Sequence, residues 1–155
     1  MNDQMMLDIL DRVRNRFYGK YRGTVTEIDP ATLRIEAKVP AVLQQQQTGW
    51  CMSCVPYAGK NVGVAFLPEA GSGVWIEFEG GDVSKPIWTG CYWRNDEQPE
   101  EATPQVKVIV TKSKHKILLD DAEGTITITD DNDNKITLDA AGISLERGGK
   151  KVAIS

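Results

Sequence analysis

The chain has 155 residues, of which 41% are hydrophobic and 26% are charged, a composition that can fill a packed core and argues against extended disorder. Its formal net charge of −4 argues against a protein whose main task is to neutralise nucleic-acid phosphates. No apolar run approaches the ~20 residues of a membrane-spanning helix, and Asp3, Asp8 and Asp11 stand where a signal peptide would be basic and then apolar. We therefore expect a protein that is made and folded in a cytosol.

Residues 1–19 are predicted to form an N-terminal helix, with an amphipathic stretch over residues 3–18. Apolar side chains recur in this stretch at steps of four, three and four residues, which is the spacing of one helix face. The members of this helix stripe are Met6, Leu10, Val13 and Phe17. The stripe either packs on the chain's own core or docks on a partner protein, and the two interpretations are equally favoured.

Residues 20–94 change to the alternating pattern of β-strands, separated by turn signals such as Asp29-Pro30-Ala31 and Gly80-Gly81-Asp82. No convincing internal helix interrupts them, and the polar run Gln44–Gln47 is typical of an exposed loop. Short strands in ~75 residues favour a small closed barrel, of which the five-stranded oligonucleotide/oligosaccharide-binding (OB) barrel is the commonest. The predicted strand segments are residues 22–28, 32–39, 50–57, 62–67, 74–79 and 87–93.

The chain has three cysteines and one histidine, a poor stock for metal or nucleophilic chemistry. Cys51 and Cys54 form a C-x-x-C pair, but a structural zinc site needs four ligands and no second pair exists. Residues three apart in a strand point to opposite faces, so packing as small hydrophobic side chains is favoured over a disulfide with Cys91 and over metal binding. His115 lies between two lysines without a catalytic motif. We expect no catalytic residue, no metal ligand and no cofactor.

Residues 95–105 are acidic and proline-containing and are predicted to be a linker, and residues 106–155 contain a repeat. Lys116-Ile-Leu-Leu-Asp120 returns as Lys135-Ile-Thr-Leu-Asp139 and, loosely, at residues 151–155, with two short strands in each repeat. One apolar row per strand is the predicted core of a trimeric needle. Its members are Ile117, Leu119, Ile126, Ile128, Ile136, Leu138, Ile143, Leu145, Val152 and Ile154.

A ribbon of ~50 residues cannot enclose these rows alone, and its open strand edges would aggregate. Three copies coiled around one axis bury every row and pair every edge, with ~1.5–3 kcal/mol gross for each buried aliphatic side chain. Trimerisation is therefore expected to be a condition for folding of this half. The alternative is a small monomeric sandwich formed with the barrel.

Residues 20–93 contain a series of glycine-, proline- and tryptophan-containing segments in a fixed order, namely Gly49-Trp50, Val55-Pro-Tyr-Ala-Gly59, Val62-Gly-Val64, Phe66-Leu-Pro68, Gly73-Val-Trp-Ile-Glu-Phe-Glu-Gly-Gly-Asp82, Pro86-Ile-Trp88 and Gly90-Cys-Tyr-Trp93. These segments resemble the phage baseplate assembly protein V family, which includes the central spikes of contractile phage tails and the valine-glycine repeat spikes of type VI secretion systems. The run Glu79-Gly-Gly-Asp-x-x-x-Pro-Ile87 is the most specific of them. The repeats after residue 105 resemble the triple-stranded β-helix needle of the same proteins.

The resemblance implies a mainly β homotrimer with an N-terminal helix, three OB barrels under a tail hub protein, and an intertwined needle that points at the target cell envelope. It implies a structural spike made in the bacterial cytoplasm and assembled in the baseplate of a phage virion or phage-like particle. Two features of some relatives are missing from this sequence, namely a lysozyme domain after the barrel and a His-x-His pair for an apical iron ion. The hub contact implied for the helix is the stripe at Met6, Leu10, Val13 and Phe17.

A separate tip protein is expected at the end of the needle. Val152 and Ile154 would face the axis there, and three such ends leave exposed strand edges and apolar atoms. By resemblance, the tip is a small conical protein of the proline-alanine-alanine-arginine repeat type, seated on Ala153, Ile154 and Ser155. The alternative is that the ends fray and the trimer is blunt.

The alternative function is that of an OB module that binds single-stranded nucleic acid. Such modules combine stacking aromatics with a basic groove. Trp75 would supply an aromatic ring, but its strand also presents Glu77 and Glu79, which would repel phosphate. We therefore expect no nucleic-acid partner.

Overall fold

The computed structural model describes residues 3–154, and the chain divides into two compact units, Met1–Arg94 and Asn95–Ser155. Strands are the main secondary structure of both units. No helix within residues 3–154 has the length and apolar character needed to cross a bilayer. The predicted mainly β chain with an N-terminal helix is confirmed.

Helix α1 spans Asp3–Arg14 and is shorter than the predicted 3–18. The reason is a competing hydrogen bond: the backbone N–H of Phe17 donates to the carbonyl oxygen of Gly81, at 2.9 Å, and so leaves the helical ladder. Phe17 packs against the buried cluster of the first unit. The prediction that Phe17 continues the helix stripe is therefore wrong.

Residues 3–94 of the first unit contain seven strands, five of which form one sheet in the order β2-β1-β6-β7-β3. The other two, β4 and β5, form a small hairpin. A single helical turn, α2 (Pro40–Leu43), was not predicted; its proline stands in the first turn, where no intrahelical N–H is needed. The strands are β1 (Tyr21–Asp29), β2 (Arg34–Lys38), β3 (Met52–Ser53), β4 (Ala58–Gly59), β5 (Val62–Gly63), β6 (Gly73–Phe78) and β7 (Pro86–Tyr92).

Two predicted strands are much shorter than expected. Of residues 50–57 only Met52–Ser53 form a strand in the sheet, and of residues 62–67 only Val62–Gly63 form a strand. Pro56 lacks a backbone donor, and Asn61, at φ 61°, turns the chain back after two residues. The apolar composition of this stretch therefore predicted longer strands than the structure contains.

Cys51 joins the two edges of the five-stranded sheet. Its backbone N–H donates to the carbonyl oxygen of Ile35 on β2 at 2.8 Å, and the N–H of Cys54 donates to Trp88 on β7 at 2.8 Å. The segment around β3 thus contacts β7, its neighbour in the sheet, and also β2, the strand at the other end of the sheet. The sheet curls into the predicted OB barrel.

The barrel core is a single cluster of inward-facing side chains. On β6, Val74, Ile76 and Phe78 are buried while Trp75 and Glu77 are half-buried, which confirms the predicted alternation. The members of the cluster are Val25, Ile35, Ala37, Val39, Cys51, Val74, Ile76, Phe78 and Trp88.

The second unit is a six-stranded antiparallel sheet in the order β13-β12-β11-β10-β9-β8, so every strand pairs with its neighbours in sequence. The two strands predicted for each repeat are present in the first two repeats, the third copy contributes one strand, and an additional strand, β8, precedes them. The strands are β8 (Val106–Val110), β9 (Lys116–Asp120), β10 (Thr125–Thr129), β11 (Lys135–Asp139), β12 (Gly142–Arg147) and β13 (Lys150–Ile154).

The predicted linker contributes contacts to this second sheet. The Glu101 carboxylate pairs with the Lys116 ammonium, and that hydrogen bond holds the pKa of Glu101 below its ordinary value. The backbone N–H of Asp121 donates to the carbonyl oxygen of Gln105 at 3.0 Å. Residues 101–105 are therefore part of the needle unit in this structure.

Candidate assembly surfaces

Two rows of side chains run across all six strands on one face of the needle sheet. Each row follows directly opposed residues in the strand register, for example Ile128 opposite both Ile117 and Ile136. Row one consists of Ile109, Ile117, Ile128, Ile136, Leu145 and Val152. Row two consists of Lys107, Leu119, Ile126, Leu138, Ile143 and Ile154.

The apolar side chains of these rows are exposed in the single chain. Their exposure ranges from 37% for Ile117 to 71% for Ile154, whereas Ser144 on the opposite face of β12 is 6% exposed. A soluble protein rarely leaves so continuous an apolar patch uncovered.

The structure places all ten predicted needle-core residues in the two rows and adds Ile109, which the sequence did not reveal. Ile109 lies in the run Val106-Lys-Val-Ile-Val110, where both faces of the strand carry apolar residues. The three valines lie on the half-buried face, and Lys107 and Ile109 lie on the exposed one. Ile109 is identified as a member of row one by its position opposite Ile117, and only the register of the paired strands shows that position.

Helix α1 forms a second exposed apolar surface. Met6 and Leu10 are each 48% exposed and Val13 is 68% exposed, so the part of the predicted stripe that lies on the helix is open to solvent. The interpretation in which this stripe packs on the chain's own core is therefore wrong for these three residues. It is right for Phe17, which packs against the barrel cluster.

The turn Glu79-Gly-Gly-Asp82 holds the segment that follows α1. The Arg16 guanidinium donates to the carbonyl oxygen of Gly80 at 3.2 Å and lies 3.9 Å from the Asp82 carboxylate. Gly81, at φ 77°, is in close contact with this segment: a Cβ atom there would lie 3.0 Å from the Phe17 nitrogen. Only glycine fits this position without displacing residues 16–17.

Asp82 is held ionised by its surroundings. Its carboxylate accepts hydrogen bonds from the hydroxyl and the backbone N–H of Ser84, at 2.8 and 3.0 Å. These bonds, followed by the positive charge of Arg16, lower the pKa of Asp82. The negative charge opposite Arg16 therefore persists in mildly acidic solution.

The cysteines and the histidine are the side chains that could have supported metal or nucleophilic chemistry. All three cysteines have free thiols; Cys51 is buried and Cys54 is exposed, which agrees with the prediction that they face opposite ways. Burial raises the pKa of the Cys51 thiol, whose Sγ lies 3.3 Å from Thr48 Oγ1. His115 is exposed, and its Nδ1 lies 4.0 Å from Asp131. In the part of the chain that the structure describes, no group of three or more His, Cys, Asp or Glu side chains is arranged to hold a metal ion.

On the outer face of β6, the Trp75 ring packs against the Tyr92 ring of β7, and the Arg22 guanidinium lies over both rings. The Trp75 and Tyr92 rings lie 5.0 Å apart, and the Arg22 guanidinium lies 5.6 Å from the Trp75 ring and 5.3 Å from the Tyr92 ring. Lys20 on the same face lies 3.3 Å from the Glu77 carboxylate. This surface presents charges of both signs and gives no support to nucleic-acid binding.

The predicted tip contact lies on β13, the outermost strand of the needle sheet. Ala153 and Ile154 are exposed there, and Ser155 lies outside the described residues. Nothing in the single chain covers this strand edge within the described part of the sheet.

Both units match known protein families. Residues 21–93 match the type VI secretion system/phage-baseplate injector OB domain, and residues 106–155 match the phage baseplate V C-terminal trimerisation domain. The chain belongs to the phage baseplate V and spike family. A search of curated proteins found no match to the chain.

Membership of the baseplate V family agrees with the geometry of both units. The OB match covers β1 to β7, and the trimerisation match begins and ends with the strands that carry the two exposed rows. The trimerisation domain supports a homotrimer, which supplies two further copies to cover those rows. Family membership also supports a structural role of the spike type and assembly in a phage or phage-like particle, since these domains are structural and not enzymatic.

Proposed function

We propose that three copies of the chain form a membrane-piercing spike that joins a tail tube hub to a needle in a contractile injection machine. The observation that carries this proposal is the pair of exposed apolar rows inside a trimerisation domain. The spike would be made in the bacterial cytoplasm, mounted in the baseplate, and driven through the target cell envelope when a sheath contracts. The role is mechanical and uses no catalytic residue and no cofactor.

The needle part of the proposal follows from the register of the sheet. Three sheets that turn both rows toward a common axis give each strand apolar neighbours from two other chains. With ~25 cal/mol for each Å² of apolar surface removed from water, the burial of such rows outweighs any single surface interaction of the chain. The threonine, lysine and aspartate side chains that alternate with the rows then face solvent.

The hub contact in this proposal is the exposed face of α1, with Met6, Leu10 and Val13 as anchors. A short amphipathic helix binds a partner by laying such a face into an apolar groove. The helix is attached to the barrel by Arg16 and Phe17, which contact the Gly80-Gly81-Asp82 turn. This attachment limits the freedom of α1 and so lowers the entropic cost of docking.

The tip contact in this proposal is the free edge of β13. Val152 and Ile154 are the most exposed members of the two rows, at 66% and 71%. An edge strand with exposed apolar side chains favours pairing with or covering by another protein. A tip protein of the proline-alanine-alanine-arginine repeat type, seated on Ala153, Ile154 and Ser155, would cover three such edges at once.

Native mass spectrometry of the full chain tests the oligomeric part of the proposal, with a mass of three chains expected and a stable monomer contradicting it. Co-purification with hub and tip proteins from the same gene cluster tests the contacts. Removal of residues 3–14 is expected to abolish hub binding and to retain tip binding, and removal of residues 150–155 is expected to do the reverse. Each truncation is the control for the other, and a trimer in which neither truncation affects binding would contradict both contacts.

A further inference from the structure

Lys107 is the one charged side chain in the two rows. It lies opposite Leu119 at the β8 end of row two, which is otherwise made of leucine and isoleucine. Its ammonium group pairs with the carboxylate of Asp121. The backbone N–H of Asp121 in turn donates to the carbonyl oxygen of Gln105 at 3.0 Å, which fixes the position of this acidic partner.

The rows themselves barely distinguish one height along the needle from another. The inward pair Ile117 and Leu119 on β9 has the same composition as Ile136 and Leu138 on β11. A chain that slips by one hairpin, which is two strands, would therefore meet nearly the same apolar surface on its neighbours. Hydrophobic contact between the inner strands therefore discriminates little between the two arrangements, which differ in apolar burial only at the end strands that a slip leaves uncovered.

We propose that the Lys107–Asp121 pair sets the axial register of the three chains, an inference that rests on the proposed trimeric needle. In the aligned trimer, three such pairs meet in one polar layer at the β8 end, where they remain hydrated. In a trimer slipped by one hairpin, Lys107 of one chain comes level with Ile126 of another, in the middle of the apolar rows. Burial of a charge among aliphatic side chains is strongly unfavourable, so the slipped arrangement is rejected.

The same logic operates wherever one polar side chain interrupts an apolar seam. Such a residue lowers the stability of the assembly and in return specifies how the chains align. Replacement of Lys107 by leucine is thus expected to keep the trimer and to remove the preference for the aligned register. The matched control is Lys116→Leu, which removes a comparable ion pair, that with Glu101, from the opposite face of the sheet.

Disulfide mapping in the full chain measures the register. The reporter carries Ile109→Cys and Ile128→Cys, two positions of row one that lie two strands apart in one chain, about 9–10 Å, which is beyond the span of a disulfide. Bridges of like to like, 109 to 109 and 128 to 128, report aligned chains. A bridge of 109 to 128 joins two chains and reports a slip of one hairpin. After oxidation, mass spectrometry of digested peptides distinguishes these bridges from any that involve the natural cysteines.

The reporter with Lys107 intact and the reporter with Lys116→Leu are both expected to give like-to-like bridges only. With Lys107→Leu, the 109-to-128 bridge is expected to rise to at least a tenth of all bridges in a trimer of unchanged mass. A Lys107→Leu trimer without that bridge overturns the inference, and so does the loss of the trimer, because leucine in an apolar row favours assembly. Absence of like-to-like bridges from the reporter with Lys107 intact would instead contradict the inward placement of the rows, and with it the proposed needle.

Discussion

The backbone N–H of Phe17 donates to the carbonyl oxygen of Gly81 at 2.9 Å, and this bond ties the segment after helix α1 to the β6–β7 turn. The Phe17 ring packs against the barrel cluster beside the same turn. The turn belongs to the most specific part of the family resemblance, and the structure assigns it a physical task. It attaches the proposed hub-binding helix to the barrel.

Replacement of Gly81 by alanine is expected to release this attachment. The new Cβ would lie 3.0 Å from the Phe17 nitrogen at a backbone φ of 77°, so both a close contact and backbone strain of about 1–3 kcal/mol oppose it. Hydrogen exchange of the Phe17 amide is the measurement, and at least a tenfold loss of protection is expected. Gly80→Ala is the control, since its φ of 57° imposes strain but its Cβ would meet no atom within 4 Å. Equal loss of protection in both variants would contradict a role for the close contact.

The attachment is also expected to weaken in acid. The pKa of Asp82 is lowered from its ordinary value of 3.8, chiefly by the hydrogen bonds from Ser84 and further by Arg16. A carboxylate with a lowered pKa stabilises the fold above its unfolded-state pKa, and that contribution is lost as the pH falls through the folded-state pKa. As the pH falls below 3.8 and through the lowered pKa of Asp82, the Phe17 amide should therefore lose protection in the natural chain, after correction for the intrinsic exchange rate.

Asp82→Asn separates this effect from general acid unfolding. The variant has no charge to titrate, so its Phe17 amide is expected to be less protected at neutral pH and to change less on acidification. Parallel curves for the two proteins would show that Asp82 is not the titrating group.

An aspartate at Ile126 is expected to prevent trimer formation. Three carboxylates would then meet near one dry axis, and each loses several kcal/mol of hydration that no local partner restores. Native mass spectrometry at micromolar concentration should detect only monomer. Thr127→Asp is the control, because Thr127 follows Ile126 on the same strand and lies on the opposite face. A stable trimer of the Ile126→Asp variant would show that the rows do not face the axis.

The thiols of Cys51 and Cys54 are expected to differ in reactivity. Cys51 closes the barrel and is buried, and burial raises its pKa, so little reactive thiolate is present at neutral pH. Cys54 lies directly after β3 and is exposed. Alkylation followed by peptide mass spectrometry should modify Cys54 at least a hundredfold faster than Cys51. Denatured protein is the control, in which the two rates should converge, and similar rates in the native protein would contradict the closed barrel edge.

The elements that the sequence predicted well are those in which local pattern and final environment agree. The strict alternation of Val74, Ile76 and Phe78 identified β6, and the repeated Lys-Ile-x-Leu-Asp runs identified β9 and β11. In both cases every second residue lies on the same face of the strand, and that face has one kind of environment. Periodicity then suffices, because it records which face each side chain must turn to a core.

The elements that the sequence missed depend on contacts between distant residues. The end of α1 at Arg14 is set by the carbonyl of Gly81, and the membership of Ile109 in row one is set by its pairing with Ile117. Closure of the barrel by Cys51 depends on Ile35, which has no sequence signal for this partner. Local pattern cannot report such relationships, since they arise only once the chain has folded.

The two sheets differ in how far apart their paired strands lie along the chain. The needle sheet pairs only sequence neighbours, whereas the barrel pairs β1 with β6, as in Tyr21 opposite Ile76. Short loops cost less entropy to close, and chains with local contacts fold faster. A needle ribbon should therefore form its turns early, yet it persists only after collision with two other chains. The maturation rate of the spike should rise steeply with the concentration of newly made protein, which makes the level of expression a control on how quickly finished particles appear.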